Sequence, residues 1–169
     1  VPFTPFHFGP GILLGLLLLK KMDFPIFVAA NIIIDWRTFL VFFGLWERPL
    51  HGWVHTYIGA TIMAIILGSV MTYIRPLIYG QLREMKIVQE VTKRKIFLAA
   101  FSGTFLHFTL DAFHHPHMQT FMPLDIRPLY GLMSTSEVRL VTFSMLLLSF
   151  PVYIYIIKKE DWNKKLGVK

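Results

Sequence analysis

The sequence predicts an all-α fold, a polytopic helical bundle embedded in a membrane with about five crossing segments. Three observations point there. Hydrophobic residues make up 54% of the 169 residues and charged residues only 16%, where a soluble domain carries about 25% charged residues. The apolar residues gather into runs of roughly 20, the length a helix needs to cross a hydrocarbon core of ~30 Å. The basic residues fall in the connections between those runs, almost all on one side, as membrane topology requires.

Four runs are clear, at 24–46, 53–74, 96–113 and 138–157. A fifth, the Gly-rich stretch 8–19, is short; it crosses only if Phe3 to Phe8 also enter the membrane, and is otherwise re-entrant. No basic n-region or small-residue cleavage site precedes it, so it is expected to persist in the mature protein. No Pro/Ser/Gly-rich linker or charge block divides the chain, and residues 1–169 read as a single membrane-embedded domain.

Lys20, Lys21, Arg75, Arg83, Lys86, Lys93, Arg94, Lys95, Lys158, Lys159, Lys164, Lys165 and Lys169 lie on one side of five crossings. Arg48, Arg127 and Arg139 lie on the other, and Arg37 lies within a segment. The basic side is expected to face the cytoplasm, in the cell membrane, with the C-terminus there and the N-terminus outside. The net charge of +7 is thus absorbed by topology, and nucleic acid is not an expected partner. All seven histidines then fall at or near the outer face. Topology was assigned from Lys and Arg alone, so this gathering is an independent regularity.

There is no cysteine, which excludes disulfides and thiolate ligation and leaves His, Asp and Glu to hold any metal. His51 and His55 are four apart at the start of a segment and share a face if that stretch is helical. His107 and Asp111 repeat the spacing in the outer half of another segment. An ionisable group inside a membrane helix costs roughly 2.5–3.5 kcal/mol on insertion scales, so it faces a partner or a wet cavity. Asp35 lies 11 residues into its segment, ~16 Å along a helix and near mid-bilayer. A pair with Arg37, two residues on, would need a break in the helix, because such residues do not face one another. His7 sits among prolines and glycines that favour close backbone approach. His114, His115 and His117 lie in the outer loop, where adjacent histidines chelate a single ion poorly. Asp125 and Arg127 in that loop are candidates to close over the site, as base and as anion-binding group.

Pro-Phe-Thr-Pro-Phe-His at residues 2–7, a membrane-depth Asp35, His51-Gly-x-x-His55-Thr56, His107-x-x-x-Asp111 and Pro123-Leu-Asp125 resemble the membrane-bound metal-dependent hydrolases of the YdjM and DUF457 type. The likeness follows these motifs in order over most of the chain. It implies a multi-helix membrane fold and a metal site from His7, Asp35, His51, His55, His107 and Asp111. Such relatives commonly carry Asp-x-Asp in the second segment, whereas Asp35 here precedes Trp36 and Arg37. A cation replaces the second acid, which favours a one-metal or degenerate site over a two-metal one.

The expected activity is hydrolysis of an ester or phosphoester of a lipid or lipid-linked substrate at the outer membrane–water boundary. Nitrogen and carboxylate ligands without sulfur suit zinc first, with manganese or iron as alternatives. Asp111, Asp125 or Asp35 is the candidate base. The rival readings are a non-catalytic membrane subunit with a structural metal or ion-pair network, and a membrane di-iron oxygenase. The histidine spacing disagrees with the second.

Overall fold

The computed structural model describes residues 5–45 and 53–165. Over these residues the chain is helical, with no strand: α1 (Pro5–Leu17), α2 (Phe24–Ile33), α3 (Trp36–Phe42), a 3-10 turn (Trp53–His55), α4 (Tyr57–Ile74), α5 (Tyr79–Glu84), α6 (Lys93–His114) and α7 (Thr135–Lys165). Local chemistry sets several boundaries. Thr56 accepts a hydrogen bond from Gly59 N–H at 3.0 Å and opens α4. Thr92 does the same for α6, from Lys95 N–H at 3.2 Å. Ser134 and Glu137 form a reciprocal capping box at the start of α7, each side chain accepting from the other's backbone N–H.

Three helices are long and apolar enough to cross a membrane: Tyr57–Ile74, Lys93–His114 and the Thr135–Lys159 part of α7. The apolar window of α7 is only 11% buried within the protein and that of α4 only 22%. Their outward faces carry Ile62, Ile65, Ile66, Val70, Phe143, Leu147, Leu148 and Phe150. An apolar surface of that extent fits a membrane, since water would penalise it at roughly 25 cal/mol per Å².

The other two expected segments differ from full crossings. α1 has 13 residues and α2 has 10, ~20 and ~15 Å at 1.5 Å per residue. The stretch expected as one segment over 24–46 breaks at Ile34–Asp35 and resumes as α3. The run Ile32-Ile33-Ile34 is β-branched and loses side-chain freedom in a helix, and Asp35 sits in bridge-region backbone, φ −81° and ψ 7°. There its carbonyl starts the next helix by accepting from Phe39 N–H at 3.0 Å.

α1 packs on α7 and α2, α2 on α6, and α6 on α4. The core between them is Ile26, Phe27, Ala64, Ile96, Ala99 and Ala100, in which three alanines let helices approach closely. At the end of the bundle that carries the basic connections, Gln89 accepts from Phe24 N–H at 2.8 Å and donates to the carbonyls of Leu19 and Met22, while Arg75 Nε donates to Asp23 at 2.8 Å. These contacts fix the turn between α1 and α2. The start of α1, the end of α2, the start of α4 and the end of α6 therefore meet at the opposite end.

Gly103 is where α2 and α6 touch: a Cβ there would lie 2.5 Å from Ala30 Cβ and 2.9 Å from the Phe27 carbonyl. Gly103→Ala is expected to lower the thermal midpoint in detergent, by an overpacking cost of about 1–3 kcal/mol. Gly80→Ala, with nothing within 4 Å of the new Cβ, should leave the midpoint unchanged or raise it.

Candidate metal centre

Four side chains from three elements meet at that end. Asp35 comes from the break after α2, His55 from the 3-10 turn before α4, and His107 and Asp111 from successive turns of α6. Each offers one ligand atom, and these atoms all lie within 4.8 Å of one another. His55 Nε2 is 3.5 Å from Asp35 Oδ1 and 3.7 Å from Asp111 Oδ2; His107 Nε2 is 3.5 and 3.3 Å from the same two oxygens. All four residues are at most 3% exposed.

These separations bear on what the group holds. A charge-assisted N–H···O bond is about 2.7–2.9 Å long. Ligands about 2.0–2.1 Å from a tetrahedral ion are separated from each other by about 3.3–3.4 Å. The observed 3.3–3.7 Å fits ligands around a common centre better than direct hydrogen bonds.

The tautomer of His107 agrees. Its Nδ1 is 2.7 Å from the Asn31 carbonyl oxygen, an acceptor only, so Nδ1 carries the proton. In the neutral ring Nε2 then presents a lone pair to two carboxylate oxygens, and it has no hydrogen-bond partner. A lone pair facing two carboxylates is repulsive unless a cation lies between. A backbone carbonyl orienting a ligand histidine is also the usual supporting contact in metal sites. Two buried carboxylates require compensating positive charge in any case, and this group can hold a metal ion.

His7, expected as a ligand, lies beside the centre on α1: its Nε2 is 3.2 Å from Asp111 Oδ1 and its ring stacks on His107 at 3.9 Å, but it is not one of the four residues whose ligand atoms lie within 4.8 Å of one another. Its approach depends on Gly9, where a Cβ would overlap the Thr142 carbonyl of α7 at 1.9 Å. His51 lies outside the described residues. His55 is on a 3-10 turn. Thr38 Oγ1 donates to Asp35 at 3.3 Å, a contact made by the restart of α3.

Asp125 and Arg127 are not brought into the group. They pair with each other at 2.8 Å on the exposed loop, and Arg127 also donates to the Pro116 carbonyl. Asp125 is exposed, and the pair braces the loop. A cleft of about 210 Å³, lined by Trp53, His55, Thr56, His117, Gln119 and Met122 among others, opens onto the His55 side of the centre.

No family model, curated protein or solved structure matches the chain.

Asp111→Ala is expected to reduce the zinc or manganese retained by purified protein at least about tenfold, read by elemental mass spectrometry. His117→Ala, in the cleft wall, should retain the parent content. Full occupancy in a folded Asp111→Ala protein would show that any metal is bound elsewhere.

Proposed function

We propose that the protein is a membrane-bound metal-dependent hydrolase acting on an ester or phosphoester of a lipid or lipid-linked substrate at the membrane–water boundary. The observation that carries this reading is the spacing of Asp35, His55, His107 and Asp111, set as ligands around a common point. The motif resemblance to the YdjM and DUF457 type supports the same class and adds no substrate. A divalent ion in this set supplies Lewis acidity and makes water a nucleophile near neutral pH, with zinc the best match to the ligands.

The residues divide the remaining work. His55 lies between the centre and the 210 Å³ cleft, so a reacting group entering the cleft meets the centre on that side. Asp35 is proposed to hold the ion through Oδ1, which faces His55 and His107 and accepts from Thr38. Asp111 holds the ligand set together from α6. An apolar groove of about 670 Å³ along α1, α2 and α7, with Phe8 and Ile32 in its wall, flanks the helices that carry His7 and Asp35. That groove suits an acyl chain and favours a lipid substrate over a soluble one.

The centre is proposed to face the non-cytoplasmic side, with α1, the α2–α3 unit and the three long helices making five crossings, from the Lys/Arg asymmetry. The short α1 and α2 are accommodated by local thinning or by irregular backbone around the polar centre.

Two experiments test this. Cysteine at Gln119 should react with an impermeant thiol reagent in intact cells, and cysteine at Arg83 should not; the opposite pattern reverses the topology. Zinc- or manganese-loaded protein in mixed micelles should release the headgroup or acyl chain from a panel of phospholipids and lipid diphosphates. Chelation should stop the release, and Asp35→Asn should slow it by at least about 100-fold. Bound metal without hydrolysis of any panel member would make the centre a structural one.

A further inference from the structure

Asp111 has two carboxylate oxygens, and they face different sets of histidines. Oδ2 is the atom near His55 and His107, at 3.7 and 3.3 Å. Oδ1 points the other way, 3.2 Å from His7 Nε2 and 3.9 Å from His115 Nε2. It is buried and has no hydrogen-bond partner. A buried carboxylate oxygen left without a donor costs on the order of 1–3 kcal/mol or more, so a cation on this side would satisfy it.

His114 belongs to the same side. One ligand atom each from Asp111, His114 and His115 lie within 4.8 Å of one another. His114 is 8% exposed; its Nδ1 is 3.0 Å from the Leu110 carbonyl, and its Nε2 is buried without a hydrogen-bond partner. This repeats the His107 arrangement: a helix carbonyl accepts a hydrogen bond from Nδ1–H, and the other nitrogen keeps its lone pair. The end of α6 makes it possible. His114 is the last helical residue, and at His115 the backbone turns extended, φ −98° and ψ 108°, so neighbours in sequence need not diverge as they would inside a helix.

We infer that Asp111 bridges two metal ions, one held through Oδ2 with Asp35, His55 and His107, and a second held through Oδ1 with the His114–His115 pair. The inference rests on the metal reading above and extends it. The second ion is a divalent cation that accepts imidazole, zinc first, with manganese as a weaker-binding paramagnetic substitute, since its set holds one carboxylate and two histidines. Paired ions joined by a carboxylate are the arrangement that stabilises both the attacking and the leaving oxygen in phosphoester hydrolysis. Among the two substrate classes proposed, the paired centre favours phosphoesters over carboxylic esters.

The test is metal stoichiometry with manganese as the probe, on full-length protein in detergent. Parent protein should bind two Mn²⁺ per chain and give the exchange-coupled paramagnetic resonance signal of a carboxylate-bridged pair. His115→Ala, at the half-buried end of α6, should bind one ion with an uncoupled six-line spectrum, and His114→Ala should do the same. Asp111→Ala should bind none. A parent that binds one uncoupled ion, unchanged in His115→Ala and His114→Ala, overturns the second site and leaves the single-ion reading standing. A parent that binds none overturns both. Elution as a single monodisperse species shows that each variant is folded.

Discussion

Two carboxylates, Asp35 and Asp111, are buried together at one end of an apolar bundle, both within 3.5 Å of the same nitrogen of His107. Burying a single charge without compensation costs several kcal/mol after relaxation, and two like charges in one pocket cost more. The surrounding structure is arranged around that constraint. The helix that carries Asp35 breaks so that its side chain can reach the centre. Gly103 brings α6 within reach of the Asn31 carbonyl, which orients His107. Gly9 brings α1 onto α7, which sets His7 against Asp111.

A metal ion relieves this constraint more completely than protons do. Protonating the imidazoles would place N–H groups against the carboxylates, and direct ion pairs of that kind settle at shorter distances than 3.3–3.7 Å. A divalent cation supplies two charges at one point and accepts nitrogen and oxygen lone pairs together. Neutral histidines and ionised carboxylates are also the states a metal requires. The cleft beside His55 gives such a centre a polar approach.

Much of the centre was legible in the sequence. His107 and Asp111 are four apart within an apolar run, and that spacing alone places them on one face of a continuous helix. Asp35 was visible because an acid that deep in an apolar stretch needs a partner. The role of Asp35 depended on a helix break, which the Ile32–Ile34 run hints at but hydropathy cannot locate, because both halves are equally apolar. His55 was found as half of a four-residue pair; its position comes from a 3-10 turn, and His51 lies outside the described residues. His114 and His115 looked poor as ligands on the assumption that neighbouring residues diverge, and the end of α6 removes that assumption. Asp125 and Arg127 carried the right chemistry for a lid, but two residues apart on a loop they satisfy each other. The long helices α4, α6 and α7 follow directly from length and hydropathy. The short α1 and α2 do not, because tertiary contacts end them before their apolar character does.

The most direct measurement is the nitrogen-15 spectrum of histidine-labelled protein in detergent, with His107 assigned by its loss in His107→Gln. After zinc loading, His107 should show a protonated Nδ1 and a metal-bound Nε2, and chelation should convert Nε2 to a metal-free state while Nδ1 keeps its proton. A His107 with both nitrogens protonated, unchanged by zinc or by chelator, would show that a proton and not a metal joins the carboxylates, and the centre would be an ion-pair network.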